Sequence, residues 1–251
     1  MAPRFIIIPN SGSGDCYYLS VIDSINNKNL SKKFLHFIGK KYIKKTKGNV
    51  ITVQILRDYI SDHSDQFLYH IVSSLLNIPD DHKSKKYFSE EDVENRLKPY
   101  IADLKEKANI VLQFGTKVAA YINEYMLTDK KIDNETKRIN FVKYYKKMIK
   151  TQYKWVCFLE VCIFELLYTK FIKSEFKETG CAVCIHANDE YIKQTPMPKF
   201  ETDKQIYLNY KNLHYEAWVF NNNSNSTLKK IRLKHNKETK KLKNKNKTKK
   251  K

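Results

Sequence analysis

Glycine and proline are scarce, six of each in 251 residues, which excludes collagen-like, Pro-rich and Gly-rich linker architectures. Cysteine is scarce too, and odd in number at five. That is too few for a disulfide framework and agrees with a reducing compartment, so each cysteine is read as a thiol. No apolar run approaches the ~20 residues that span a bilayer, and the run Phe5-Ile6-Ile7-Ile8 is far too short for a secretory signal. No internal repeat occurs at solenoid spacing. The expectation is a soluble, intracellular protein with no membrane partner.

Acid is in short supply relative to base: 27 Asp+Glu stand against 47 Lys+Arg, a formal net charge of +20. The excess is uneven. Residues 222–251 hold 13 Lys/Arg and one acid, Glu238, so this tail carries +12 and the preceding 221 residues carry +8. The whole chain is 41% hydrophobic and 13% aromatic, and a body of about 220 residues is enough for one core or one core with a smaller lobe. The tail, rich in Lys and Asn, cannot bury a core and is expected to be disordered.

Along the chain, Phe5-Ile6-Ile7-Ile8 reads as a short buried strand ending at Pro9 and the cluster Asn10-Ser11-Gly12-Ser13-Gly14. Helical spacing follows at Tyr18, Val21, Ile22 and Ile25, with Asp15 or Ser13 as N-cap. A second amphipathic segment runs from Val50 to Ile60 and is closed by Phe67-Leu68. From Ser89 to Leu127 the apolar positions Val93, Leu97, Ile101, Leu104, Ala108, Val111 and Leu112 predict a helix kinked near Pro99. Another follows, holding Val118, Ile122 and Met126. One more helix is expected from about Ile139 through Trp155 into the apolar stretch from Val156 to Phe171. Strand signals return from Cys181 to Ala187, from Ile206 to Tyr210 and from His214 to Phe220, the last two joined by a hairpin loop Lys211-Asn212-Leu213.

This pattern puts Cys16 after a Gly-containing loop at a helix N-terminus. There the unpaired N–H groups and the helix dipole favour a thiolate, and the same N–H groups can hold an oxyanion. Cleavage of an acyl bond then needs a base and a group that orients it. In His214-Tyr215-Glu216 the period of two projects His214 and Glu216 from one face of a strand. The competing reading is plain: helix-start cysteines are usually small buried hydrophobes.

Several blocks, in order, resemble the ovarian-tumour (OTU) family of cysteine peptidases. Ser13-Gly14-Asp15-Cys16-Tyr17-Tyr18 is similar to the family's Asp-Gly-x-Cys nucleophile motif, which is followed by Leu and an aromatic residue. Ile55-Leu56-Arg57-Asp58-Tyr59-Ile60 resembles its Leu-Arg helix, with Phe67 as the trailing aromatic. Tyr144 and Met148, then Trp155 and Glu160, resemble its Tyr-x-x-x-Met and Trp-Gly-x-x-x-Glu block, and the closing strands resemble its His-Tyr-Asn/Asp motif. The resemblance covers about Phe5 to Phe220. It implies an α+β, papain-like fold with a small central sheet flanked by helices. It also implies thiol-dependent hydrolysis of the isopeptide bond at the C-terminal glycine of ubiquitin or a ubiquitin-like modifier. Carried over, Cys16 is the nucleophile, His214 the base and then acid, and Glu216 the orienting residue. The Ser13, Gly14, Asp15 and Cys16 backbone forms the oxyanion hole, and Trp155 and Glu160 are structural. The chain departs from the family at Ser13, where Asp is usual, at Glu216, where Asn or Asp is usual, and at Val156, where Gly is usual.

The 76 residues between Phe67 and Tyr144 exceed a simple connection. About residues 68–140 are therefore read as a helical insertion within a catalytic domain spanning 1–221, with recognition and purely structural roles both open. No cofactor is expected. Cys181-Ala182-Val183-Cys184-Ile185-His186 is a poor zinc site, because a strand sends Cys181 and Cys184 to opposite faces and no second ligand pair follows. Cys157 and Cys162 are read as core residues about 140° apart on a helix. Ser11-Gly12-Ser13-Gly14 fits neither a nucleophile elbow nor a phosphate loop. The basic runs at Lys229–Lys234 and Lys247–Lys251 suit nuclear targeting or weak, salt-sensitive contact with nucleic acid, so a nuclear as well as a cytoplasmic location is open. The alternative function is an inactive OTU-like module that binds a protein or nucleic acid through the insertion and tail.

Overall fold

A computed structural model of the chain describes residues 5–10, 14–44, 50–80, 87–101, 116–151, 156–178, 182–187, 204–211 and 214–220. In order these form β1 (Phe5–Ile8), α1 (Cys16–Asn27), α2 (Ser31–Ile38), the single turn α3 (Lys40–Ile43), α4 (Val53–Asp62), α5 (Asp65–Leu76) and α6 (Glu90–Ile101). Then come α7 (Thr116–Tyr121), continuing as a π-helix (Ile122–Thr128), α8 (Asn134–Lys150), α9 (Phe158–Phe176), β2 (Val183–Ala187), β3 (Ile206–Lys211) and β4 (His214–Phe220). The architecture is α+β, mostly helical with one small sheet.

The sheet order is β1-β4-β3-β2. Strand β4 lies antiparallel to both neighbours, and β2 runs parallel to β3. Lys211 pairs with His214, so the hairpin connection has two residues where the sequence suggests three. Strand β1 is an edge strand and is not buried on both faces: Ile8 points into the protein, while Ile7 is 43% exposed.

Helix α1 packs on the sheet through aromatic rings. Tyr17 meets Tyr215 of β4 edge-on with centroids 5.1 Å apart and Phe164 of α9 at 6.1 Å, so α1 is sandwiched between β4 and α9. As its nearly continuous apolar composition predicts, α9 is buried over most of its length, from Leu159 to Ile172. Burying each of its Val, Leu, Ile and Phe side chains stabilises the fold by about 1.5–3 kcal/mol. Among the described residues no helix is long and apolar enough to cross a membrane.

Two helices end where sequence spacing alone would carry them on. The Val50 to Ile60 segment is not closed by Phe67-Leu68, which belong to the separate helix α5. After Asp62 the last-turn carbonyls are captured locally: Ser64 Oγ donates to Ser61 O at 2.9 Å, and His63 Nδ1 lies 2.8 Å from Tyr59 O. The single helix expected from Ile139 through Trp155 to Phe171 is instead two helices. Helix α8 starts earlier, where the Asp133 carboxylate accepts from Thr136 N at 2.9 Å. It ends at Lys150, where Thr151 is extended and Arg57 Nη1 donates to the Ile149 carbonyl at 2.9 Å, satisfying a last-turn acceptor; Cys157 is extended as well. Cys157 therefore precedes α9, half-buried, while Cys162 is in the core.

Most of the described part of residues 68–140 is helical. It contributes Leu68, Ile71, Val93, Leu97, Val118, Ile122 and Met126 to the same apolar cluster that holds Cys16 and Phe164. Ser89 starts α6 by accepting from Asp92 N at 3.1 Å. Leu104, Ala108, Val111, Leu112, Ser13, Trp155, Cys181 and the tail lie outside the described residues.

Candidate functional site

Gly14 adopts φ +88°, a left-handed conformation that suits glycine, and this bend delivers the chain into α1. Asp15 occupies the N-cap position, yet its carboxylate does not cap the helix. It is drawn instead to Arg57 of α4, which donates from Nη2 at 2.5 Å and Nε at 3.1 Å. Arg57 is wholly buried. It also donates to Ile149 O and, at 3.5 Å, to Gly14 O. Its guanidinium lies 4.2 Å over the Tyr18 ring. A buried guanidinium is costly unless fully partnered, and here its partners are the turn before Cys16, the first turn of α1 and the last turn of α8.

The network continues inward. Tyr18 Oη donates to Glu160 Oε2 at 2.8 Å, Cys157 Sγ lies 3.7 Å from Glu160 Oε1, and Tyr145 Oη contacts Cys157 Sγ. Glu160 is fully buried. Arg57 of the Leu-Arg block, Tyr18 of the cysteine block and Glu160 thus meet in one polar chain beneath the turn. Tyr144 does not join it. Its ring stacks on Tyr121 with centroids 4.1 Å apart, and the buried pair is one residue further on, Tyr145 with Ile149.

The Cys16 side chain is 1% exposed. Burial pushes its thiol above the ordinary value of 9.0, opposed by the backbones of Tyr215, Tyr17 and Cys16 itself and reinforced by the Asp15 charge. The helix start does favour the thiolate, as the sequence implies, but desolvation outweighs it. Cys16 Sγ therefore rests as a neutral thiol against the backbone of Tyr215, the residue that follows His214.

On β4 the alternation is clear: Tyr215, Ala217 and Val219 are buried, while His214, Glu216 and Trp218 are half-buried on the other face. Among the described residues no hydrogen bond joins the Cys16 thiol to the His214 ring, or that ring to the Glu216 carboxylate. Glu216 Oε2 instead accepts from Asn209 Nδ2 on β3 at 3.5 Å, its register partner. Ser13 lies outside the described residues, so the loop is seen only at Gly14 and Asp15. Among the described residues no group of three His, Cys, Asp or Glu side chains could hold a metal ion.

Asn10, read from the sequence only as part of a turn cluster, proves central. Its Nδ2 donates to Tyr215 O at 2.8 Å, Ser20 Oγ at 2.8 Å and Cys16 O at 3.2 Å. No local signal marks it, since its partners lie up to 205 residues away. No protein-family model, curated protein or solved structure matches the chain.

Proposed function

We propose that the chain is a thiol-dependent deubiquitinase of OTU type, hydrolysing the isopeptide bond at the C-terminal glycine of ubiquitin or a ubiquitin-like modifier. The observation that carries this reading is the packing of the Cys16-bearing start of α1 on β4, where Tyr17 meets Tyr215 edge-on and Asn10 bridges Cys16 O and Tyr215 O, next to His214 in sequence. The nucleophile and the base come from opposite ends of the chain.

On this reading His214 takes the proton from Cys16 as the thiol attacks the glycine carbonyl. The developing oxyanion is held by backbone N–H groups of the Ser13 to Cys16 turn. The same histidine then protonates the departing lysine amine, leaving an acyl thioester. Water, deprotonated by His214, attacks the thioester and frees the modifier and the thiol. Glu216 orients the imidazole once His214 turns toward Cys16, a tightening expected as substrate enters.

The buried, neutral Cys16 and its lack of a bond to His214 favour a second reading: an inactive OTU-like module that binds a protein or nucleic acid through the helical insertion and the basic tail. A ubiquitin probe with an electrophile at its C-terminus separates the two. The expected result is covalent labelling of the wild type that disappears in Cys16→Ala and His214→Ala. Folded wild-type protein that is never labelled would favour the binding module.

A further inference from the structure

We propose that Asn10 is the positioning residue of this site. Its side-chain amide clasps the cysteine-bearing helix to the histidine-bearing strand, joining Cys16 O and Ser20 Oγ to Tyr215 O. The inference rests on reading Cys16 and His214 as the reacting pair.

The sheet register explains why an amide is needed at this position. Strand β1 pairs with β4 through Ile8↔Ala217 and then ends at Pro9. Continued by two residues, that register sets Asn10 opposite Tyr215. In a strand the N–H and C=O of one residue point to the same edge, so Tyr215 presents both where the β1 ladder has stopped. Asn10 Nδ2 takes the carbonyl at 2.8 Å. The backbone of Tyr215 stabilises the Cys16 thiolate. At this carbonyl the asparagine amide stands in for the missing strand.

Two further acceptors of Asn10 fix the helix side. Cys16 O lies at 3.2 Å and Ser20 Oγ at 2.8 Å, and Ser20 Oγ itself donates to Cys16 O at 2.8 Å. These acceptors are a main-chain oxygen and a buried hydroxyl in the first turns of α1, so they move only if the helix moves. Pro9 restrains the backbone just before Asn10. The two N–H groups of the amide serve these three acceptors, Cys16 O being the longest contact. A carboxylate would face three oxygens, whereas a protonated carboxyl could still donate one hydrogen bond.

That difference supplies a test that a merely structural role would not pass. Full-length wild type, Asn10→Ala, Asn10→Asp and Ser20→Ala are compared for labelling by the ubiquitin probe and for alkylation of Cys16 by chloroacetamide, followed by mass spectrometry from pH 5 to 10. Far-UV circular dichroism confirms that each variant is folded. Asn10→Ala is expected to slow probe labelling about 10- to 100-fold, the scale of a misplaced reacting group, and to move the alkylation profile to higher pH as the Tyr215 backbone leaves the sulfur. Asn10→Asp is expected to recover toward the wild type as pH falls, opposite to the trend of a thiol. Ser20→Ala, which leaves the strand clasp in place, is expected to lose less than Asn10→Ala.

The proposal is overturned if Asn10→Ala stays within twofold of wild type in both assays, if the Asn10→Asp profile runs parallel to wild type, or if Ser20→Ala loses as much as Asn10→Ala. If wild type is not labelled by the probe, the deubiquitinase reading fails on its own. The chloroacetamide profiles then still decide whether Asn10 sets the environment of Cys16. Should Asn10→Ala fail to fold, the pH dependence of Asn10→Asp relative to wild type settles the role of the amide.

Discussion

The two sides of Cys16 are held by different physics. On the helix side, the Gly14-Asp15 turn is locked by a buried ion pair to Arg57, with Tyr18 and Glu160 extending the polar chain into the core. On the strand side, the seam between α1 and β4 is closed by neutral contacts: the Asn10 amide and the edge-on rings of Tyr17 and Tyr215. The middle of the sequence supplies the charged, fully buried anchors, and its two ends supply the candidate reacting groups. An ionic lock fails sharply when one partner goes, because the other charge is left in a low-dielectric interior. A neutral seam weakens in smaller steps.

Arg57→Ala should therefore have the largest effect on stability, about 3–5 kcal/mol, since it strands the Asp15 carboxylate and removes the tie to Ile149 O. Urea unfolding monitored by circular dichroism measures it. A loss below about 1 kcal/mol would mean that the lock carries little of the fold. Adding Asp15→Asn to Arg57→Ala should return part of the loss, because the uncompensated charge is gone.

Next in size, Tyr18→Phe removes one hydrogen bond to a buried carboxylate and should cost about 1.5–3 kcal/mol. The ring that lies beneath Arg57 is kept. If Tyr18→Phe is neutral while Arg57→Ala is severe, the polar chain is a pair and not a continuous network.

The smallest effect belongs to a half-exposed cluster away from the site. Burial raises the Asp62 carboxyl, but hydrogen bonds from Lys41 and Tyr42 and the Lys150 charge more than offset this, lowering it from 3.8 to about 2. A carboxyl lowered by folding contributes stability that is fully present above pH 3.8 and is lost as pH falls toward about 2. Solvent screening should keep the contribution under about 1 kcal/mol. In Asp62→Asn the stability difference from wild type should therefore shrink between pH 4 and pH 2, and a constant difference would show that the ion pairs around Asp62 contribute little.

The contrast between the two sides also marks what the sequence makes legible. Strands at the two ends follow from β-branched and aromatic runs such as Phe5-Ile6-Ile7-Ile8 and Ile206-Tyr207-Leu208. The core helix α9 follows from its apolar composition, and the shared face of His214 and Glu216 follows from a period of two. These are local signals. Asp15 looks like an N-cap because it precedes a helix, and only the arrival of Arg57 from α4 turns it into half of an ion pair. The break between α8 and α9 is hidden for the same reason, since a last-turn carbonyl of α8 is satisfied by a side chain 92 residues away. Asn10 is the extreme case: its neighbours in sequence describe a turn, and its role is written in residues 16, 20 and 215.

The pairing of Phe5 with Phe220 also imposes an order of events at the ribosome. At about 5–20 residues per second, Cys16 is made roughly ten to forty seconds before the strand against which it rests. Until residues 214–220 emerge, the apolar face of α1 has no sheet to cover it, and Tyr17 has no Tyr215 ring to meet. Closure of that loop is a late, long-range step that slows folding. A nascent chain therefore cannot bring α1 and β4 together before translation has passed Phe220.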